Sequence, residues 1–161
     1  GMPLPGDVVQ RRLVAFNAVA TGATVLPFDD TIPSGGEGDQ YATVALAPSS
    51  AANYNRVSTN VMVASSVVGA STISGQIRFG TTSSGTFNTY LTAMGTGSSA
   101  AGQVAELKLD AIHPNLAGGE VTYVLLIGPS AAGTVTVNGT AGARRFGGGA
   151  GSTLLVEEIM S

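Results

Sequence analysis

The chain has 161 residues, of which 77 are Gly, Ala, Ser or Thr; charged residues make up 11%, aromatics 6%, and Cys and Trp are absent. Lack of cysteine excludes a disulfide framework, a thiol nucleophile and a thiolate metal site, and the single histidine, His113, cannot build a multi-histidine centre. A net charge of −3 and a pI near 4.9 disfavour nucleic-acid binding by counterion release.

An apolar share of 43% and a mean hydropathy of +0.30 predict a folded chain rather than a disordered one. No apolar run approaches the ~20 residues of a membrane helix, so no membrane insertion is expected. No basic start followed by an apolar stretch marks a secretory leader. Gly1 ahead of Met2 reads as the remnant of a cleaved tag. Residues 1–10 read as a lead-in and 11–161 as one domain.

Helix formers are scarce, and short runs rich in Val, Ile, Thr and Tyr recur between Gly, Ser, Asn and Pro. In chain order the runs predict strands at Leu13–Val19, Thr24–Leu26, Tyr41–Ala47, Val57–Val68, Gln76–Phe79 and Phe87–Met94. Further strands are predicted at Val104–Ile112, Thr122–Ile127, Thr134–Val137 and Thr153–Ile159. About ten strands with turn signals between them predict an antiparallel sandwich or barrel. The competing reading is a helix over Ala100–Leu109, capped by Ser98 or Ser99. Asn138-Gly139, after the alternating Thr134–Val137, predicts a hairpin turn. Pro27, Pro33, Pro48, Pro114 and Pro129 all fall between strands, where a missing N–H does no harm.

One strand is apolar on both faces. Val121, Tyr123, Leu125 and Ile127 share one side, and Val124 and Leu126 the other; Leu154-Leu155-Val156 repeats the habit. A sandwich strand normally alternates, so either the chain covers this strand itself or a second subunit does. The scarcity of helix to provide cover favours the subunit interface.

Three stretches, taken together, resemble the distal domain of bacteriophage and prophage tail-fibre or head-fibre proteins. They are Ala20–Pro33 continuing through Glu37-Gly38-Asp39-Gln40, then Tyr41–Asn53, then Val137–Thr140 with Phe146-Gly147-Gly148 and Ser152–Ile159. The resemblance spans roughly residues 15–161 and is loose between about 65 and 115. It implies a jelly-roll sandwich similar to the tumour-necrosis-factor and complement globular-head domains. It further implies a homotrimer with the last strand near the threefold axis, carried at a fibre tip that touches the host surface. Such domains end a longer chain with a shaft, so this sequence reads as a fragment or a stand-alone tip. With the two-faced strands, the resemblance makes Tyr123, Leu125, Leu154 and Val156 the candidate interface residues.

The remaining motifs have structural readings. Gly95-Thr96-Gly97-Ser98-Ser99-Ala100 fits a dinucleotide fingerprint in form, but no βαβ unit surrounds it. Asp29, Asp30, Glu37 and Asp39 crowd one loop without calcium-loop spacing, which favours a solvated loop over a Ca²⁺ site. His113 precedes Pro114, and no G-x-S-x-G elbow accompanies it. Glu157 and Glu158, adjacent on a strand, face opposite sides and cannot form an acid–base pair. Arg144-Arg145 suits an acidic glycan or phosphate, though a solvated turn is the plainer reading, and Asn138-Gly139-Thr140 is a sequon in form only. Sugars stack on exposed aromatic faces, which singles out Tyr54 and Tyr90; Phe87 reads as core.

The expectation is therefore an all-β jelly roll without catalytic residues, metal or cofactor: a trimeric virion fibre tip, made in the bacterial cytoplasm and acting outside the cell. Its expected partners are itself, other virion proteins and a host surface polysaccharide or protein. A purely structural head or tail decoration protein is the first alternative, and a glycan-cleaving fibre domain the second.

Overall fold

The structure, a computed structural model, describes residues 1–81, 90–116 and 119–161. Its strands in chain order are β1 (Val8–Phe16), β2 (Ala20–Gly22), β3 (Asp39–Leu46), β4 (Tyr54–Ser65), β5 (Ser71–Thr81) and β6 (Tyr90–Ser99). They continue with β7 (Ala105–Pro114), β8 (Val121–Pro129), β9 (Val135–Val137), β10 (Gly139–Thr140), β11 (Ala143–Arg144) and β12 (Ser152–Ile159). A single 3-10 turn, Phe146–Gly148, interrupts this otherwise extended chain among the described residues.

The long strands form two facing antiparallel sheets. In the first, β12 lies between β1 and β4, β7 pairs with the other edge of β4, and β9 continues along β4 and carries β2. The second has the order β3-β8-β5-β6. Partners nest like a folded hairpin rolled on itself: β5 with β6, β4 with β7, β3 with β8, β1 with β12. That nesting is the jelly roll, the fold expected from the sequence.

Between the sheets, Leu154 and Val156 of β12 meet Val57 and Val61 of β4, Leu107 and Leu109 of β7, and Ile77, Tyr123, Leu125 and Ile127 of the opposite sheet. Inward and outward residues alternate along β12, as a half-buried strand requires. Gly75 of β5 stands opposite Gly95 of β6, and β7 presses onto the pair. A Cβ on Gly75 would lie 2.6 Å from Leu107 Cδ2, and one on Gly95 2.8 Å from the Lys108 carbonyl oxygen. Both glycines of the dinucleotide-like motif are thus strand residues, and Gly95 lets β7 approach β6.

Several boundaries differ from expectation. Residues 24–26 form no strand; they cross the outer face of the second sheet, with the Leu26 N–H on the Pro129 carbonyl at 2.9 Å. The helix over Ala100–Leu109 is absent: Ser99 closes β6, and its hydroxyl bonds the Gln103 carbonyl across a turn into β7 at 2.7 Å. Residues 87–89 of one predicted strand lie outside the described residues. The hairpin turn sits not at Asn138-Gly139 but at Ala141-Gly142, both left-handed with φ 49° and 72°, between β10 and β11.

Candidate functional site

The structure places both candidate tyrosines at the end of the sandwich where β3 passes to β4, β5 to β6 and β7 to β8. Tyr54 opens β4 opposite Ile159 and Pro114 and is 42% exposed; Tyr90 opens β6 opposite Phe79 and is 49% exposed.

Beneath Tyr90 lies a polar and aromatic relay. Its ring is 5.3 Å from that of Phe79, which stacks on His113 at 4.2 Å. His113 Nδ1 is 2.8 Å from the Pro114 carbonyl, an oxygen that only accepts, so Nδ1 carries the proton. Nε2 therefore accepts from the Tyr123 hydroxyl at 2.9 Å, and that hydroxyl accepts from Asn55 Nδ2 at 2.7 Å. Burial pushes the His113 pKa below its ordinary value, only partly opposed by the Pro114 carbonyl. Burial also raises the Tyr123 phenol well above its usual range. The relay is neutral and ends on a backbone carbonyl, an arrangement for holding β4, β5, β7 and β8 in register.

Glu158 occupies the neighbouring position under the β3–β4 loop and is fully buried. Its carboxylate accepts from the Ser49 N–H (2.9 Å), the Ser50 N–H (3.2 Å), Asn53 Nδ2 (2.8 Å), Gln10 Nε2 (2.6 Å) and the Ser49 hydroxyl (3.0 Å). Burial alone would raise its pKa; these donors outweigh burial and hold it at about 2. Glu157 points the other way, to Arg11 at 3.5 Å.

The four candidate interface residues are corrected by the fold. Tyr123, Leu125, Leu154 and Val156 are each 0% exposed and packed in the subunit's own core, so they have no surface to offer a second subunit. The two-faced character of β8 has an internal cause. The segment 23–38 lies over the outer face of the second sheet, and Gln76 and Arg78 reach from that face to it. Gln76 Nε2 donates to the Ser34 and Glu37 carbonyls, both at 2.9 Å, and Arg78 Nη1 to Pro33 at 2.8 Å. Val124 and Leu126, on the same face as Gln76 and Arg78, are 2% and 6% exposed within the single chain and need no second subunit to cover them.

The acidic residues of that segment serve its turns separately. Asp39 accepts from the Thr24 N–H and hydroxyl, Asp29 from those of Thr31, and Glu37 from the Ser34 N–H.

At the opposite end of the sandwich a hollow of 440 Å³ is lined by Asn17, Ala18, Val19, Arg144, Gly147 and Gly148. Asn138 builds its frame. It is buried and left-handed at φ 60°, and its Nδ2 donates to the Phe16 and Ala18 carbonyls at 3.1 Å each. Its Oδ1 accepts from the Ser152 hydroxyl at 2.6 Å. This burial removes the sequon from solvent. The sequence reading treated Arg144 as a solvated turn and saw no hollow, because the two walls lie over a hundred residues apart in the chain.

No protein-family profile and no curated protein sequence matches the chain. Among solved structures, the chain is similar to VP2 of infectious bursal disease virus in a subviral particle, with 13% identity and a TM-score of 0.40 over 96% of this chain and 39% of that one. It is also similar to the structure of the Gx strain of that virus, with 10% identity and a TM-score of 0.41 over 96% of this chain and 39% of that one. The chain thus spans under two-fifths of the length of these proteins.

Proposed function

We propose that the protein is a virion component of bacteriophage or prophage, a jelly-roll fibre tip that acts as a homotrimer and binds a host cell-surface glycan without cleaving it. The observation that carries this reading is the way the fibre-like stretches engage. Glu158 of the last stretch is bound by Ser49, Ser50 and Asn53 of the second, and the first stretch is fastened over the sheet by Gln76 and Arg78. The shared pattern is thus the pattern that specifies this sandwich.

The non-enzymatic reading is supported by His113, whose two nitrogens are engaged by Pro114 and Tyr123 with no nucleophile between. Assembly is supported by the outer face of the first sheet, where Leu13 and Ile112 are each 60% exposed beside half-exposed Tyr54. This face, rather than the core residues named from the sequence, is the one offered to a partner.

Light scattering tests the assembly: a particle of three 16.0 kDa chains is expected, and a stable monomer overturns it. Retention of the protein on purified bacterial surface polysaccharide tests the host reading. No retention above a control protein leaves the decoration role in its place, and shortened glycan products overturn the non-enzymatic reading.

A further inference from the structure

We infer that the hollow beside Arg144 and Phe146 is the ligand site, and that it takes an acidic oligosaccharide through a carboxylate-bearing sugar. This deepens the host-glycan reading and rests on it. Three observations converge. The first is Arg144, an exposed guanidinium with no ion pair or side-chain hydrogen bond among the described residues, lying 3.6 Å from where a Cβ on Gly148 would be. Arg144 thus packs against Gly148 at the wall of the hollow, and a guanidinium matches a carboxylate with two parallel hydrogen bonds.

The second is Phe146, 85% exposed on a left-handed backbone at φ 52° and followed by Gly147 and Gly148 at 64° and 92°. A bulky residue in that region costs about 1–3 kcal/mol, so the fold holds an apolar ring in water on a backbone that resists it. Phe146 opens the 3-10 turn whose Gly147 and Gly148 line the hollow with Arg144, and a flat exposed ring on that turn suits the axial C–H face of a pyranose whose acid group meets the arginine.

The third is the frame. The hollow of 440 Å³ falls within the ~300–1,000 Å³ usual for ligand sites. Asn138 fastens its wall at residues 16–18, and the β10–β11 hairpin carries Arg144, so the site exists before ligand arrives. Two further hollows, of 280 and 410 Å³, follow through the shared residues Asn17 and Gly151. The track fits a chain of sugars rather than one. Its far end carries Glu106, already paired with Lys108 at 3.5 Å, so the guanidinium of Arg144 is the cation left for the acidic sugar.

The test is titration calorimetry of the full chain with an oligogalacturonate and with a neutral maltooligosaccharide of the same length, beside retention on host polysaccharide. The acidic sugar is expected to bind and the neutral one not. Arg144→Ala is expected to weaken binding about tenfold or more, with Arg144→Lys recovering part of it. Phe146→Gly is expected to weaken it as well. Both target side chains are exposed, and melting curves check that the variants fold. Lack of oligogalacturonate binding at millimolar concentration overturns the site, as does binding that survives Arg144→Ala. If host polysaccharide retains the wild type and both variants equally, the host reading stands and this site falls. If oligogalacturonate binds through Arg144 but no host polysaccharide is retained, the site stands and the host reading falls.

Discussion

Glu158 and Asn53 meet at 2.8 Å beneath the β3–β4 loop, the carboxylate of the last strand accepting from the amide that precedes β4. With the other four donors this fastens the loop to β12 through one buried charge.

The first prediction concerns acid. Glu158 has a folded pKa of about 2 against an ordinary 4.5, so the unfolded chain binds its proton first as pH falls. Its contribution is complete above pH 4.5 and is lost between 4.5 and 2. The difference corresponds to about 3 kcal/mol. Urea titrations across this range should show the loss in the wild type and a shallower one in Glu158→Gln, where only carboxylates such as Asp29 and Asp110, also held below their ordinary range, still titrate. That variant should be less stable at pH 7 by about 2–4 kcal/mol, since an amide offers donors to donors.

His113 acts in a separate, higher window. Its pKa is lowered on folding, so the unfolded state takes up the proton first once pH falls below 6.5, and stability drops as it does. Protonating Nε2 also removes the acceptor of the Tyr123 hydroxyl. Melting temperature measured from pH 7 downward should begin to fall before the Glu158 window opens. In His113→Phe, which keeps a ring on Phe79, that early decline should be missing.

Asn138 separates backbone strain from hydrogen bonding. Asn138→Gly keeps the left-handed conformation at φ 60° and loses the side-chain bonds to Phe16, Ala18 and Ser152. Asn138→Ala loses both. Denaturant unfolding should place alanine about 1 kcal/mol below glycine, and both about 2 kcal/mol or more below wild type. Equal stability of the two variants would remove strain from the account.

Phe146→Gly should stabilise the fold while it impairs ligand binding. Glycine adopts φ 52° without penalty, and the ring has little contact to lose at 85% exposure. A gain of about 1 kcal/mol is expected by thermal denaturation.

The sequence makes some of this legible and hides the rest for physical reasons. Alternation exposes the sandwich because a strand's inward residues recur every second position. The same phase places Glu158 with Leu154 and Val156 on the inward side, a signal that its charge obscured. Periodicity also shows that β8 is covered on both faces, yet cannot name the cover, because Pro33, Ser34 and Glu37 are brought there by contacts some forty residues distant in sequence. Gly95 looks like a motif until Lys108 is laid beside it. The Arg144 hollow is least legible. It sits on a left-handed turn that begins at a phenylalanine, which no propensity anticipates, and against an asparagine whose side chain spans some 120 residues.

The nested pairing sets an order of synthesis against an order of assembly. β5 and β6 can pair as soon as both exist, but β12, which fills the gap between β1 and β4, is made after every other strand. Until it leaves the ribosome, the facing edges of β1 and β4 stand open, each able to pair with the same edge of another copy. The burial of Glu158 on that strand then acts as a latch. Only a chain whose β12 has been drawn between β1 and β4 can fasten the β3–β4 loop, so insertion of that strand is also what closes the sheet against wrong neighbours.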